Sequence, residues 1–422
     1  MSRGVKIPKH KKESITNKIS TYLKPKVVYI PLICQNDTNI TVLVKNGDYV
    51  CKGEVIARKR GNFKVPIHSS VSGTVKSINE KTYLNGDMVK CVVIENDFKE
   101  TVLSETKPKK YINDYTKKEF IEKIRDAGIV GLGGGGFPTY VKYDTDEKIN
   151  TLIINAVECE PFLTADYMLG LEKCEEILEA IDAIIDINDI PEAIIAIKHG
   201  NTKTKEIINT FIGTYLKIKL VEVPELYPMG WERLLISQVK GISYNKLPIE
   251  KGIIVNNVST IYAIYEALKF DKPLIDRVIT ITGEMIKEPQ NVLVKVGTSI
   301  NEVIGSIGGY KRFKDIRFIT GGPMMGDALE TDEVVVSPNL TGILVIRNND
   351  KNELLECLRC GKCVNACPAK LSPVLIMDSL ATPEKLKSLR PEKCVECGLC
   401  SYVCPSKILV RNFVVKAKEK SN

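Results

Sequence analysis

Between residues 26 and 95, apolar and polar positions alternate in short runs separated by turn signals. Val42, Val44, Val50 and Ile56 alternate around Asn46-Gly47-Asp48 and Lys52-Gly53, and a second Asn85-Gly86-Asp87 turn follows the phrase Pro66-Ile67-His68-Ser69-Ser70-Val71-Ser72-Gly73. This predicts a small all-β unit. After a charged linker near 96–115 the period changes: Phe120, Ile121, Ile124 and Ala127 fit one face of a helix stopped by Gly128. Thr151 to Ala156 then reads as a buried strand of the parallel kind. A long amphipathic helix from about Asp166 to Ile185 follows, then strands at Ala193 to Lys198, near Lys217 to Val223, and at Ile253 to Val255, with helical spacing between them. Strand and helix in alternation predict an open α/β layer. From 275 to 340 a further small unit is expected, with strands at Val278–Gly283 and Val292–Val296 and a short helix capped by Thr298 or Ser299. Polar residues around 346–353 link it to a cysteine-rich end, and the tail beyond about Asn412 is expected to fray.

The β unit is similar to the flattened barrel-sandwich of lipoyl and biotinyl carrier domains, without the lysine hairpin that carries their covalent group. Composition adds limits. The chain has 422 residues, 44% hydrophobic, with net charge +8, enough for several cores. No apolar run nears 18 residues and no charged-then-apolar leader opens the chain, so neither a membrane span nor a secretory signal is expected. Lysines cluster at both ends; they read as solvated tails, with an anionic membrane leaflet or an acidic partner as the alternative. Nucleic-acid binding is disfavoured, because aromatics make up only 6% of residues and no basic patch is interleaved with rings.

Chemistry concentrates in the cysteines. Eight of the thirteen form two copies of C-x2-C-x2-C-x3-C-P: Cys357, Cys360, Cys363, Cys367 with Pro368, and Cys394, Cys397, Cys400, Cys404 with Pro405. This spacing holds cubane iron–sulfur clusters, the fourth cysteine of each run crossing to the other cluster. The expected sets are Cys357, Cys360, Cys363 and Cys404, and Cys367, Cys394, Cys397 and Cys400. Paired C-x2-C also reads as zinc, although zinc has no use for repeated third and fourth cysteines. Cys34, Cys51, Cys91, Cys159 and Cys174 are scattered and read as plain thiols in a reducing compartment.

A second locus is Gly131-Leu132-Gly133-Gly134-Gly135-Gly136-Phe137. Five glycines in six residues cannot pack as helix or strand, but suit backbone lying flat on a phosphate or a flavin ring. Asn155, Glu158 and Glu160 follow the carboxyl end of the strand at 151–156, where ligands of open α/β sheets bind. His68 reads as structural and Trp231 as packing. No His/Asp or Ser/His constellation calls for side-chain acid–base catalysis.

Taken with Gly321-Gly322-Pro323-Met324-Met325-Gly326 and the cysteine runs, these motifs resemble the RnfC family of Rnf membrane electron-transport complexes. The central part is similar to the flavin-binding 51-kDa subunit of respiratory complex I. The resemblance implies a multidomain α/β chain: a lipoyl-like barrel-sandwich (1–105), a Rossmann-like FMN/NADH-binding domain (110–270), an SLBB β-grasp domain (271–345), which reads as a spacer, and a bacterial-type 2[4Fe-4S] ferredoxin domain with its tail (346–422). It also implies non-covalent FMN and NADH as substrate. By motif, Gly131, Gly133, Gly134, Gly135, Gly136 and Lys142 would contact FMN, and Asn155, Glu158, Asn256, Asn257 and Thr260 would hold its ring and phosphate. Phe137, Glu160, Tyr227 and Glu232 would border the dinucleotide. The complex I subunit has an arginine where this chain has Leu132 and an acid where it has Val157. The implied activity is electron transfer between NADH and ferredoxin, coupled to ion translocation by other Rnf-type subunits, with this chain on the cytoplasmic face of the membrane. Alternatives are a soluble relative feeding a cobalamin or proline reductase, and a flavin-free iron–sulfur relay.

Overall fold

The computed structural model describes residues 4–35, 37–61, 63–103, 111–244, 246–311, 315–348 and 355–421. Parts of the linkers expected near 96–115 and 346–353 lie outside them. The all-β unit is a sandwich of two antiparallel sheets. One contains Val27–Pro31, Met88–Asn96, Gly73–Thr82 and Tyr49–Val50; the other contains Ile40–Val42, Val55–Lys59 and Pro66–His68. The alternation in the sequence has its cause here: Val28, Ile30, Val50, Ile56, Val75, Val92 and Ile94 point into one shared core. His68 is buried against the backbone of Asp126, and burial pulls its imidazole down to about 4, so it is a neutral packing group.

The central unit is a four-stranded parallel sheet. Spatially, Ile218–Val223 lies beside Glu192–Lys198, then Thr151–Asn155, then Ile253–Asn257. The first strand in the chain therefore pairs with both the second and the fourth, which makes a topological switch point between Thr151–Asn155 and Ile253–Asn257. The single helix expected over 166–185 is two, Ala165–Glu172 and Cys174–Ile187, broken at Lys173, whose backbone (φ −125°, ψ 30°) is not helical. The break serves two packing directions. Ala165 and Leu169 of the first piece meet Val278 of the next unit, while the second piece buries Ile177, Leu178, Ile181 and Ile184 in the main core.

The next unit is a six-stranded mixed sheet, in the order Ser20–Tyr22, Gln290–Lys295, Asp276–Thr282, Gly342–Arg347, Ile316–Thr320, Asp327–Leu329. It borrows its first edge strand from the N-terminal segment, pairing Ser20 with Val292 in parallel. Helix Ile300–Ser306 packs on it, and Ile300, Val303 and Ile304 join its core. Ser299 occupies the N-cap position but makes no capping bond, and the Thr298 hydroxyl donates to the Lys295 carbonyl instead. Neither hydroxyl caps the helix as the sequence suggested.

The cysteine-rich end is built of short helices, with no strand among the described residues from 355 to 421. Its tail does not fray. Val410–Glu419 is a helix whose Val410, Val414 and Ala417 pack at helical spacing on Leu371, Ile376 and Leu386, and Lys418 ties it to Glu396 at 2.7 Å. That apolar stripe was readable at 410, 414 and 417, but a short run of lysines obscured it. Among the described residues no helix is long and apolar enough to cross a membrane.

Candidate functional site: a crevice at the switch point and two cysteine cavities

At the switch point Asn155 and Asn257 end their strands as register partners. Asn257 is also the N-cap of helix Val258–Phe270, its side-chain oxygen accepting from Ser259 N at 2.8 Å. The glycine loop lies across this helix start. It closes on itself through Gly131 N to the Phe137 carbonyl (2.8 Å) and Gly136 N to the Gly131 carbonyl (3.0 Å). Leu132 N donates to Thr260 Oγ1 at 3.0 Å, and a Cβ on Gly133 would stand 3.3 Å from Asn257. Gly134 (φ +102°) and Gly136 (φ +61°) adopt backbone that L side chains rarely take. A helix N-terminus under a bare glycine backbone favours an anionic ligand.

Beneath the crevice the polar groups satisfy one another. Lys142 donates to the Val255 carbonyl (2.6 Å) and to Asn256 Oδ1 (3.4 Å), and Asn256 Nδ2 donates to the Tyr143 hydroxyl (2.5 Å). Burial pulls the Lys142 ammonium down and the nearby Glu232 carboxylate pulls it back up. Asn155 Nδ2 donates to the Gly230 carbonyl at 2.9 Å, which ties the strand end to the turn before Glu232. Glu158 accepts from Asp166 N at 3.1 Å, and its carbonyl receives Lys11 and Lys198.

Two residues here escaped sequence reading. Asp166 accepts from Asn257 Nδ2 (2.6 Å) and the Ser259 hydroxyl (2.5 Å); burial and the charge of Glu158 push its carboxyl up to about 6. The only signal for it was an acid in the first turn of a helix. Buried Arg277, from the six-stranded sheet, donates to the Leu132 carbonyl at 3.3 Å and also to the Pro338 carbonyl. No local pattern could tie it to a loop 145 residues away.

Glu160 and Tyr227 are drawn together elsewhere, at the seam with the cysteine-rich end. The Tyr227 hydroxyl donates to the Cys397 carbonyl at 2.8 Å and stands 3.2 Å from Glu160 Oε1, while Met324 N donates to Glu160 Oε2 at 3.2 Å. Burial pushes the Glu160 carboxyl up to about 7, against the opposing pull of those bonds and of Lys11. The seam is tight: a Cβ on Gly322 would meet Glu160 at 2.2 Å, and one on Gly398 the Met324 carbonyl at 2.4 Å. Glu232 sits apart from both, accepting from the Tyr244 hydroxyl at 3.1 Å. Phe137 packs edge-on against Phe63.

Beyond the seam lie two cavities. One is lined by Cys367, Cys394, Cys397 and Cys400, the other by Cys357, Cys360, Cys363 and Cys404. These are the two groups of four that the spacing pairs. Leu371 N donates to Cys367 Sγ and Glu396 N to Cys394 Sγ, both at 3.4 Å, as suits sulfurs carrying negative charge. Four thiols facing a shared void fit a polynuclear cluster. Zinc uses four ligands around one ion, whereas each cavity takes three cysteines from one run and the fourth from the other, the crossing that two cubane clusters use. The cavities differ: Cys367 and Cys397 are buried, whereas Cys360 is exposed.

Comparison with known proteins agrees unit by unit. Residues 1–99 match the RnfC barrel sandwich hybrid domain, 124–266 the Nuo51 FMN-binding domain, 278–328 the SLBB domain and 356–408 the 4Fe-4S dicluster domain. The chain is 35% identical to the C component of the proton-translocating ferredoxin:NAD(+) oxidoreductase complex of Clostridium ljungdahlii, over 89% of this chain and 83% of that one. It is 32% identical to the Na(+)-translocating counterpart of Acetobacterium woodii, over 89% and 86%. Among solved structures, an NAD+-reducing [NiFe]-hydrogenase in the H2-reduced state shares the fold, with a TM-score of 0.52 and 16% identity over 75% of this chain and 65% of that one. The chain belongs to the RnfC family of the Rnf electron-transport complexes.

Proposed function

We propose that this chain is the subunit of an ion-translocating ferredoxin:NAD oxidoreductase at which electrons pass between NADH, FMN and two [4Fe-4S] clusters. When bound, FMN exchanges a hydride with the nicotinamide as two electrons, and the clusters carry electrons singly. The residues described supply position and surroundings. The glycine loop and the helix start at Asn257 favour the flavin phosphate, with Leu132 N, Thr260 and Lys142 fixing the walls. Asn155, Asn256 and Glu158 frame the crevice floor. Cys367, Cys394, Cys397 and Cys400 are assigned to an inner cluster, and Cys357, Cys360, Cys363 and Cys404 to an outer one.

The observation that carries this reading is the seam. Tyr227 and Glu160 of the flavin-type unit, together with Met324 of the six-stranded-sheet unit, pack onto the Cys397–Gly398 turn, which lines the inner cavity. The outer cavity is lined by Leu358, 65% exposed, and by exposed Lys362, and the adjoining chain at Ile408 and Val410 carries exposed Leu409 (57%) and Lys407. An apolar centre with a basic rim suits an acidic protein partner, such as ferredoxin or another subunit of the complex, and a peripheral position on the cytoplasmic membrane face. The test is the visible spectrum of anaerobically purified protein before and after NADH, with flavin released and counted. About eight irons and one FMN per chain, bleached by NADH, are expected; iron without flavin under FMN reconstitution would leave only a relay.

A further inference from the structure

The loop at 321–326, with its Gly-Gly-Pro-Met-Met-Gly sequence, joins three units. It belongs to the six-stranded sheet, between Ile316–Thr320 and Asp327–Leu329. Met324 N donates to Glu160 of the flavin-type unit at 3.2 Å, and a Cβ on Gly398 of the cysteine-rich end would stand 2.4 Å from the Met324 carbonyl. The next carbonyl, that of Met325, accepts from Arg411 Nη2 at 3.5 Å. Arg411 lies in the first turn of the helix Val410–Glu419, and its backbone N donates to Ser401 Oγ at 2.9 Å, one residue after Cys400. The arginine thus stands between the loop and the inner cavity, whose wall it forms together with Cys367, Cys394, Cys397 and Cys400.

Arg411 Nε is buried and has no hydrogen-bond partner among the described residues. A guanidinium does not shed its proton to escape burial, so an N–H of this kind without an acceptor is costly. Nearby acids do not relieve it. Glu396, on the same wall, is held by Lys418 at 2.7 Å. Burial raises the Asp327 carboxyl and the Arg411 charge lowers it, with no hydrogen bond between the two. The acceptors that the cavity does gather are sulfurs, and backbone amides already serve two of them, Leu371 N on Cys367 and Glu396 N on Cys394. The outer cavity is built differently: its arginine, Arg359, is exposed and paired with Asp378.

We propose that the Arg411 Nε–H is the side-chain donor to a sulfur of the inner cluster, braced from the 321–326 loop, and that it makes this cluster easier to reduce. This rests on the reading that Cys367, Cys394, Cys397 and Cys400 hold a [4Fe-4S] cluster. Reduction adds one electron, hence one negative charge, and a cationic donor at the sulfur stabilises the reduced form more than the oxidised one. The test is a potentiometric titration of the anaerobically purified full chain, followed by electron paramagnetic resonance, with iron counted. Arg411→Met should make one of the two clusters about tenfold harder to reduce, a midpoint about 59 mV lower, and leave the other midpoint in place. Arg411→Lys, which keeps the charge but not the Nε–H, should lower the same midpoint by less. Should Arg411→Met lose iron, arginine labelled with heavy nitrogen decides: the reduced wild type should show a nitrogen coupling by pulsed resonance that Arg359→Lys keeps and Arg411→Lys loses. Absence of that coupling, midpoints that stay put or shift equally at full iron content, or a wild-type midpoint in Arg411→Lys overturns the donor and leaves the cluster reading standing. Wild type without any cluster signal after iron and sulfide reconstitution removes both.

Discussion

The crevice and the cysteine cavities are built on opposite plans. Around the crevice every polar group named has a protein partner: Lys142 with Asn256 and Tyr143, Asp166 with Asn257 and Ser259, Arg277 with the Leu132 carbonyl. That network rests on the continuous core of a parallel sheet and its helices. The cysteine-rich end instead rings two voids with eight thiols and has only a small apolar cluster around Ile376, Leu386 and Val414. One site is shaped by hydrogen bonds within the protein; the other is expected to depend on its metal, since a fold that buries little apolar surface takes stability from the ions it binds.

Removing iron should break the comparison most visibly. With a chelator and reductant, amide exchange in 362–419 is expected to lose nearly all protection, while strands Thr151–Asn155 and Ile253–Asn257 keep theirs. Equal loss in both regions would mean that the cysteine-rich end is integral to the central fold. Lys142→Met probes the other side. It strips a donor from the buried Val255 carbonyl and from Asn256 Oδ1, leaving groups whose desolvation costs about 1–3 kcal/mol. FMN affinity should fall about tenfold or more, with iron content unchanged. Retention of flavin at wild-type affinity would remove Lys142 from the site.

How much of this was legible in the sequence follows the same divide. The cysteine runs declare their chemistry locally, because cluster ligation fixes spacing within a few residues, and the two sets of four could be written down from it. The switch point was half legible. Strand and helix periods gave the alternation, and the glycine run marked the loop, but strand order is set by packing between segments far apart in the chain. Asp166 and Arg277 stayed hidden for that reason: each acts on a partner 91 or more residues away. Lys173 breaks a helix that its own residue type does not break, and the reason lies in Val278 of another unit. The sandwich was readable throughout, because alternation with turn residues is local physics.

Asp166 gives a smaller, pH-dependent contrast. Its carboxyl keeps a proton up to about 6 in the folded chain, against about 3.9 when unfolded. A raised carboxyl favours the folded state at low pH, and that advantage is lost as pH rises through the folded value. Stability of wild type relative to Asp166→Asn should therefore fall by about 2–3 kcal/mol between about pH 4 and about pH 6.5 and then level off. A flat difference between the two thermal-shift profiles would mean that Asp166 is ionised throughout and that the network is held by charge.

The seam between the two plans should give the smallest effect and the most local one. Tyr227→Phe keeps the buried ring, 2% exposed, and removes only the hydroxyl that donates to the Cys397 carbonyl at 2.8 Å. One neutral hydrogen bond contributes about 1 kcal/mol, too little to unfold either unit. Its loss falls on the turn that carries Cys397 and Gly398, because Met324 packs on that turn from the same side and is itself held by Glu160. Amide exchange should therefore quicken several-fold at 396–400, about what 1 kcal/mol allows, and stay at wild-type rates around Cys357–Cys363 in the outer cavity. Equal quickening in both cavities would mean that the two clusters loosen as one body, with the flavin side bracing neither in particular. No change in either would leave the Gly398–Met324 contact, and not the tyrosine, as what couples the crevice to the iron.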